Sequence, residues 1–382
     1  MKNHEVFAKD PLRYELANNG VSKVGEIGAD AEQTATLRFE VESFVCEGEY
    51  ARGLERILTA YLDGLGRPEQ QAAWVSGFFG SGKSHLVKML RYLWVDYKFP
   101  DGASARSLAT LPSTIKDLLV ELSNRGRQHG GLRAAAGTLG AGAMDNVRLA
   151  FLQLIFRAED IPESYPTARF ALWLKEKGFY DSVVVNLKNR KLDPHKEIRN
   201  FYVSTHVAEA LVAADPQFGS PRQALASLQA QFPPKASPTI EDTLDVIRRI
   251  YGQNGNMPCT LLAIDEVQQY IGDKVQRAMD VQEIAENCAS RLGSRLLLVG
   301  TGQSALTGTA NLARLQARFT IKVALSDTDV QQVIRKTILA KKPEAVPAIR
   351  KTIEESQGEI SRHLHNSRLA STAEDGEWYA AD

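Results

Sequence analysis

Apolar positions along the chain recur with two periods. From Thr36 to Leu65, most clearly in YARGLERILTAYLDGL, they return every three or four residues, the spacing of one buried helix face. Gly66, Arg67 and Pro68 end that pattern. AAWVS follows as a short continuous apolar run and predicts a buried strand, and KSHLVKMLRYLWVDY returns to the helical period. The same alternation reappears far downstream. CTLLAIDE is an apolar run ending in two acids, VQEIAENCASRL is helical, and RLLLVGTGQS is a second apolar run. FTIKVAL sets Thr320 and Lys322 against apolar neighbours with period two, as a strand does. Short apolar strands separated by helices predict an α/β protein with a parallel sheet sandwiched by helices.

Between these blocks the helical period dominates, in TIKDLLVELSNRG, DNVRLAFLQLIFRAE, TARFALWLKEKGFYDSVVV, STHVAEALVAA and TIEDTLDVIRRIYGQ. HKEIRNFYV predicts a further helical turn and LRAAAGTL a core strand. A strand-plus-helix unit takes roughly 30 residues, yet Asp265 stands 182 residues after Lys83. The span 104–255 is therefore expected to be a large, mostly helical insertion with at least one sheet strand inside it. Three parts are predicted: an N-terminal segment 1–45, a core 46–325 containing that insertion, and the start of a helical lid at 326–382. The last opens with SDTDVQQVIRKTILAKKP, where Ser326 and Asp329 form a capping-box pattern and Pro343 is the expected stop.

Charge narrows the partners. Lys plus Arg and Asp plus Glu both number 46, so the basic excess of a dedicated nucleic-acid binder is missing and DNA contact would need a local patch or a partner. The stretch LKNRKLDPHKEIR, 187–199, reads either as a solvated basic loop or as a contact for a nucleic-acid backbone. Cys46, Cys259 and Cys288 lie far apart without a C-x-x-C pair, which fits buried thiols in a reducing cytosol. His363 and His365 have no cysteine or acid at metal-ligand spacing. No run of 18 apolar residues and no signal-type leader occurs, so a cytoplasmic protein without a membrane span is expected.

The chemistry concentrates in GFFGSGKSH, residues 77–85. Gly77, Phe78, Phe79, Gly80, Ser81, Gly82, Lys83 and Ser84 fit the phosphate-loop pattern G-x-x-x-x-G-K-[ST] between a predicted strand and a predicted helix. The glycines turn backbone N–H groups toward phosphate oxygens, Lys83 reaches the β- and γ-phosphates, and the Ser84 hydroxyl ligates Mg²⁺. His85 is a further candidate contact, though a side chain at that position more often packs on the helix than meets the phosphate. Asp265, at the end of an apolar strand, is the second expected metal ligand, and Glu266 beside it the base that polarises water for attack on the γ-phosphate. Thr301 or Gln303, at the end of LLLVGTGQ, is a candidate contact for that phosphate and water. Arg314 and Arg318 fall four apart on one face of a predicted helix. Arg318, just before Phe319 and the next strand, is the candidate arginine finger acting on a neighbouring subunit.

These four elements in this order resemble an AAA+ type ATPase core. WVSGFFGSGKSHLVKML, AIDEVQQYIGD and VFAKDPLRYELANNGVSKV resemble more particularly the large P-loop proteins of bacterial BREX phage-defence systems, of the BrxC or PglY type. That resemblance implies ATP and Mg²⁺ as ligands, a homo-oligomer, and work alongside other BREX components including a DNA methyltransferase. Members continue well beyond this region, so a fragment or shortened member with an incomplete lid is expected. Two rival readings stand beside a hydrolysing enzyme. One is a nucleotide-dependent switch or scaffold, the other a DNA-remodelling motor similar to origin-recognition ATPases.

Overall fold

The computed structural model describes residues 5–8, 22–25, 30–139, 146–233, 237–252 and 255–369. It divides into two compact units, 17–330 and a second made of 1–16 with 331–382.

In the first unit, helices α1 (Ala31–Glu42) and α2 (Gly48–Gly64) precede strand β1 (Ala73–Ser76). The single helical run expected from Thr36 to Leu65 is thus two helices, parted at Ser43, which caps α1 through its N–H on the Phe39 carbonyl. Helix α3 (Lys83–Val95), a short α4 (Ala105–Leu108) and α5 (Ser113–Gln128) lead to β2 (Leu132–Thr138). After α6 (Val147–Ala158) come five helices without a strand: α7 (Tyr165–Glu176), α8 (Tyr180–Asn189), α9 (Pro194–Arg199), α10 (Thr205–Ala214) and α11 (Pro221–Gln231). Then α12 (Ile240–Tyr251), β3 (Cys259–Asp265), α13 (Val267–Ile271), α14 (Val275–Arg291), β4 (Leu296–Gly302), a one-turn α15 (Ala310–Ala313) and β5 (Ile321–Ala324) return to the sheet.

All five strands run parallel, in the order β2-β3-β4-β1-β5. The fold is therefore α/β with helices flanking a five-stranded parallel sheet. Every residue of β1, β3 and β4 is buried, as expected of strands covered on both faces. β5 alternates buried Ile321 and Val323 with exposed Lys322 and Ala324, the pattern of an edge strand with one wet face. Trp74 on β1 packs edge-on against Phe319, with ring centroids 5.7 Å apart, inside a core shared with Leu262, Leu298, Phe151 and Phe156. Helix α1 is joined to α3 by a Glu40–Lys88 ion pair at 2.6 Å, with both side chains almost wholly buried. Breaking such a pair costs about 3–5 kcal/mol because one charge is left alone in the interior.

The helical insertion is narrower than 104–255. LRAAAGTL does supply β2, which pairs with β3 from Leu132↔Cys259 to Thr138↔Asp265. Residues of α6, α12 and α14 share the core beside the sheet. Only α7 to α11 build a body of their own, around Phe170, Leu174, Val183, Leu187, Phe201, Leu211 and Phe232. Helix α7 serves both cores. Ala168 and Leu172 face the sheet side, whereas Phe170, Ala171 and Leu174 face the new one.

The segment 1–45 is likewise not one piece. Helix α1 belongs to the first unit, whereas residues 5–8 belong to the second. There Phe7 forms an antiparallel bridge with Lys341, the Ala8 N–H donates to the Ala340 carbonyl at 2.7 Å, and the Lys342 N–H donates to the Val6 carbonyl at 2.9 Å. The second unit otherwise holds most of α16 (Asp327–Thr337) and α17 (Val346–Leu369). α16 ends at Thr337, well before Pro343, which instead opens a 3₁₀ turn, Pro343–Ala345. No helix among the described residues is long and apolar enough to cross a membrane.

Candidate functional site

The loop Gly77–Gly82 joins the C-terminal end of β1 to the first turn of α3. Gly82 sits before the helix with φ +82°, a left-handed conformation that an L-residue adopts only at a cost. A Cβ there would lie 2.1 Å from the Tyr50 hydroxyl. That hydroxyl donates to the Ser81 carbonyl at 2.7 Å, so α2 holds the back of the loop. Gly77 is crowded too, since an added Cβ would meet Ser81 Oγ at 2.5 Å and Leu325 Cβ at 3.2 Å. Ser81 is fully buried, and its hydroxyl has no hydrogen-bond partner among the described residues. Gly80 is left-handed as well, and Phe78 and Phe79 beside it form a solvent-facing crest, 42% and 87% exposed.

Lys83 opens α3. Its Nζ donates to the carbonyls of Gly77 and Phe78, both at 2.8 Å, so the side chain lies back across the loop. Burial lowers the Lys83 pKa, against the opposing pull of Asp265 and Glu266. Both acids therefore lie within electrostatic reach of the loop lysine. Ser84 follows, partly buried. His85 does not turn to the loop. Its ring packs edge-on against Phe44, with centroids 5.5 Å apart, and burial pushes its pKa down to about 4. Of the two readings open for His85, phosphate contact and packing on the helix, the Phe44 contact favours packing.

At the end of β3, Asp265 is buried and accepts a hydrogen bond from Thr301 Oγ1 at 2.5 Å. The Glu266 N–H is shared between Thr301 Oγ1, at 2.9 Å, and Asp265 Oδ1, at 3.1 Å. Glu266 itself has φ +58°, rare for a residue with a side chain and costing about 1–2 kcal/mol. Thr301, wholly buried on β4, stabilises that turn from the next strand while the Glu266 side chain stays exposed. Of the two β4 candidates, Thr301 thus uses its hydroxyl on the acids, and Gln303 is the exposed polar side chain beyond the strand.

Sequence reasoning missed three contributors. Tyr50 is one. Gln268 on α13 accepts from the Ser304 N–H at 2.8 Å, and Trp74 Nε1 donates to the Ser304 carbonyl at 3.0 Å. Together they clamp the chain as it leaves β4. A glutamine in a helix and a tryptophan in a strand carry no signal of that role until the strands are ordered.

Arg318 is elsewhere. The Ala72 N–H, just before β1, donates to the Arg318 carbonyl at 3.1 Å, which puts this residue at the strand-start end of the sheet, opposite the loop. Its guanidinium pairs with Glu69 at 3.1 Å and Glu286 at 2.8 Å. Arg314 lies in a 3₁₀ turn, Arg314–Ala317, so the helix face expected to join the two arginines does not form.

The order β1-β4-β3 puts the loop and the acid pair at one edge of the sheet, one strand apart, where parallel α/β sheets bind ligands. Left-handed Gly80 and Gly82, loop positions where a Cβ would clash, a buried serine hydroxyl without a partner among the described residues and a lysine within electrostatic reach of two carboxylates fit a bound polyphosphate with Mg²⁺. No family model matches this chain, and no solved structure matches it.

Proposed function

We propose that this chain binds ATP with Mg²⁺ and hydrolyses it, as an AAA+ type ATPase acting in a BREX antiphage assembly with a DNA methyltransferase. The observation that carries the ATPase reading is the common edge of the Gly77–Ser84 loop and the Asp265–Glu266 turn, with Lys83 under the influence of both acids. The BREX context rests on the resemblance of the loop, acid-strand and N-terminal segments. In this reading the loop N–H groups and Lys83 hold the phosphates. Lys83 exchanges its two carbonyl partners, Gly77 and Phe78, for phosphate oxygens. Ser84 and Asp265 would hold Mg²⁺, which would supply positive charge to offset that of the phosphates. Thr301 keeps Asp265 and the Glu266 backbone in place. The exposed Glu266 carboxylate accepts the proton of the attacking water. Arg318 acts across a subunit interface, leaving Glu69 and Glu286 to do so.

The test is ATP turnover against protein concentration for wild type, Glu266→Gln and Arg318→Ala. A per-subunit rate that climbs with concentration and is lost in both variants supports an oligomeric ATPase. Nucleotide bound without turnover in any of the three would leave a switch and sink the hydrolysis reading.

A further inference from the structure

The corner between α8 and α9 breaks the charge neutrality of the chain. Residues 188–199 carry five cations, Lys188, Arg190, Lys191, Lys196 and Arg199, against two carboxylates. Those two carboxylates are engaged locally. Asp193 caps α9 by accepting from the His195 and Lys196 N–H groups, and Glu197 accepts from the Ser204 hydroxyl. Arg190 pairs with Glu209 at 2.6 Å. Lys188, Lys191, Lys196 and Arg199 are exposed and make no ion pair or side-chain hydrogen bond among the described residues.

Lys191 adds a separate observation. It is left-handed, with φ +58°, where the chain leaves α8. Its N–H donates to the Lys188 carbonyl, and the next N–H, of Leu192, reaches back to Leu187 at 3.0 Å. This is the helix-ending motif in which glycine is favoured because it has no Cβ. A lysine here adds one more exposed cation at the expense of local stability.

We propose that the α8–α9 corner binds the phosphate backbone of duplex DNA. Four unpaired cations within twelve residues suit phosphates. The nearby aromatic rings are engaged already. Lys175 lies over Tyr180, and Tyr202 packs on Phe201 with its hydroxyl on the Phe232 carbonyl. His195 is the one exposed ring of the corner among the described residues, and with no Phe, Tyr or Trp ring left free there to stack unpaired bases a duplex backbone fits better than a single strand.

The experiment measures anisotropy of a labelled 30-base-pair duplex with the full chain, without nucleotide, from 50 to 200 mM salt. With four phosphate contacts the affinity falls about 150-fold across that range, because the slope is about −0.9 per contact. Changing Lys188, Lys191, Lys196 and Arg199 together to Gln flattens the slope and removes most of the binding. Lys191→Gly is the folding control, expected to raise the melting temperature while weakening DNA binding. No binding at 50 mM salt, or an unchanged slope in the fourfold variant, overturns the proposal. So does Lys191→Gly with undiminished affinity, and so does tighter binding to single strands, RNA duplex or phosphatidylserine vesicles than to duplex DNA. ATP turnover plays no part in the readout, so failure of the ATPase reading leaves this test intact.

Discussion

Two regions of the same unit are ordered by opposite means. At the loop edge of the sheet, polar groups and backbone conformation carry the arrangement. Glu266 is held left-handed by Thr301, Gly82 is closed in by Tyr50, and Ser304 is clamped between Trp74 and Gln268. In the α7–α11 body, rings carry it. Phe170 stacks on Phe201 at 4.4 Å and meets Phe232 at 5.7 Å, while Trp173 contacts Phe179 and Phe218. Hydrogen-bonded strain fixes direction at little gain in stability, whereas aromatic burial stabilises without specifying a reacting atom. Substitutions in the two regions should therefore separate stability from function.

The sharpest separation is Phe170→Ala. Deleting a fully buried ring costs about 4 kcal/mol in urea unfolding of the body. ATP affinity, measured by a fluorescent analogue below the transition, should stay within about twofold. A parallel loss of affinity would mean that the two regions are not independent. Lys83→Ala is the converse. It should weaken ATP binding by a hundredfold or more, about 3 kcal/mol, with little change in the urea midpoint.

His85 sharpens the contrast through pH. Its folded pKa is about 4, below its ordinary value of 6.5. Above pH 6.5 both states are neutral and no penalty exists. Between 6.5 and 4 the unfolded chain takes up a proton that the folded ring refuses, so stability falls as pH falls. Partial exposure trims the loss to about 2 kcal/mol. The difference in unfolding free energy between wild type and His85→Phe, followed from pH 7 to 4, should show that slope, and a flat difference would refute it. The smallest effect is Glu266→Gly. Relieving the left-handed turn should raise stability by about 1 kcal/mol in thermal unfolding, while turnover disappears with the carboxylate.

How much of this was legible beforehand varies by element. Apolar runs flanked by helical periods located β1, β3 and β4, because strands buried on both faces must be apolar, whereas β5 was located by its period-two alternation and β2 by LRAAAGTL. The break at Ser43 was not legible. Helix α1 shows little apolar periodicity of its own against the strong one of α2, and its tie to α3 through the Glu40–Lys88 pair is a contact between positions 48 residues apart. Nor was the true extent of the insertion, since α6 and α12 read like α7 to α11 but pack on the sheet.

The local chemistry lay in the sequence by itself. A glycine loop between strand and helix and two acids at the end of an apolar strand are contiguous patterns, set by backbone geometry within a few residues. Only the tertiary structure decided which side chains those patterns meet. It turned His85 onto Phe44, spent the Thr301 hydroxyl on Asp265 and Glu266, and tied Arg318 to Glu69 and Glu286 at the other end of the sheet. The reason is that strand order is set by how the whole set of helices can cover the sheet. A contact 36 residues away, such as Thr301 to Asp265, exists only once β4 has been laid beside β3.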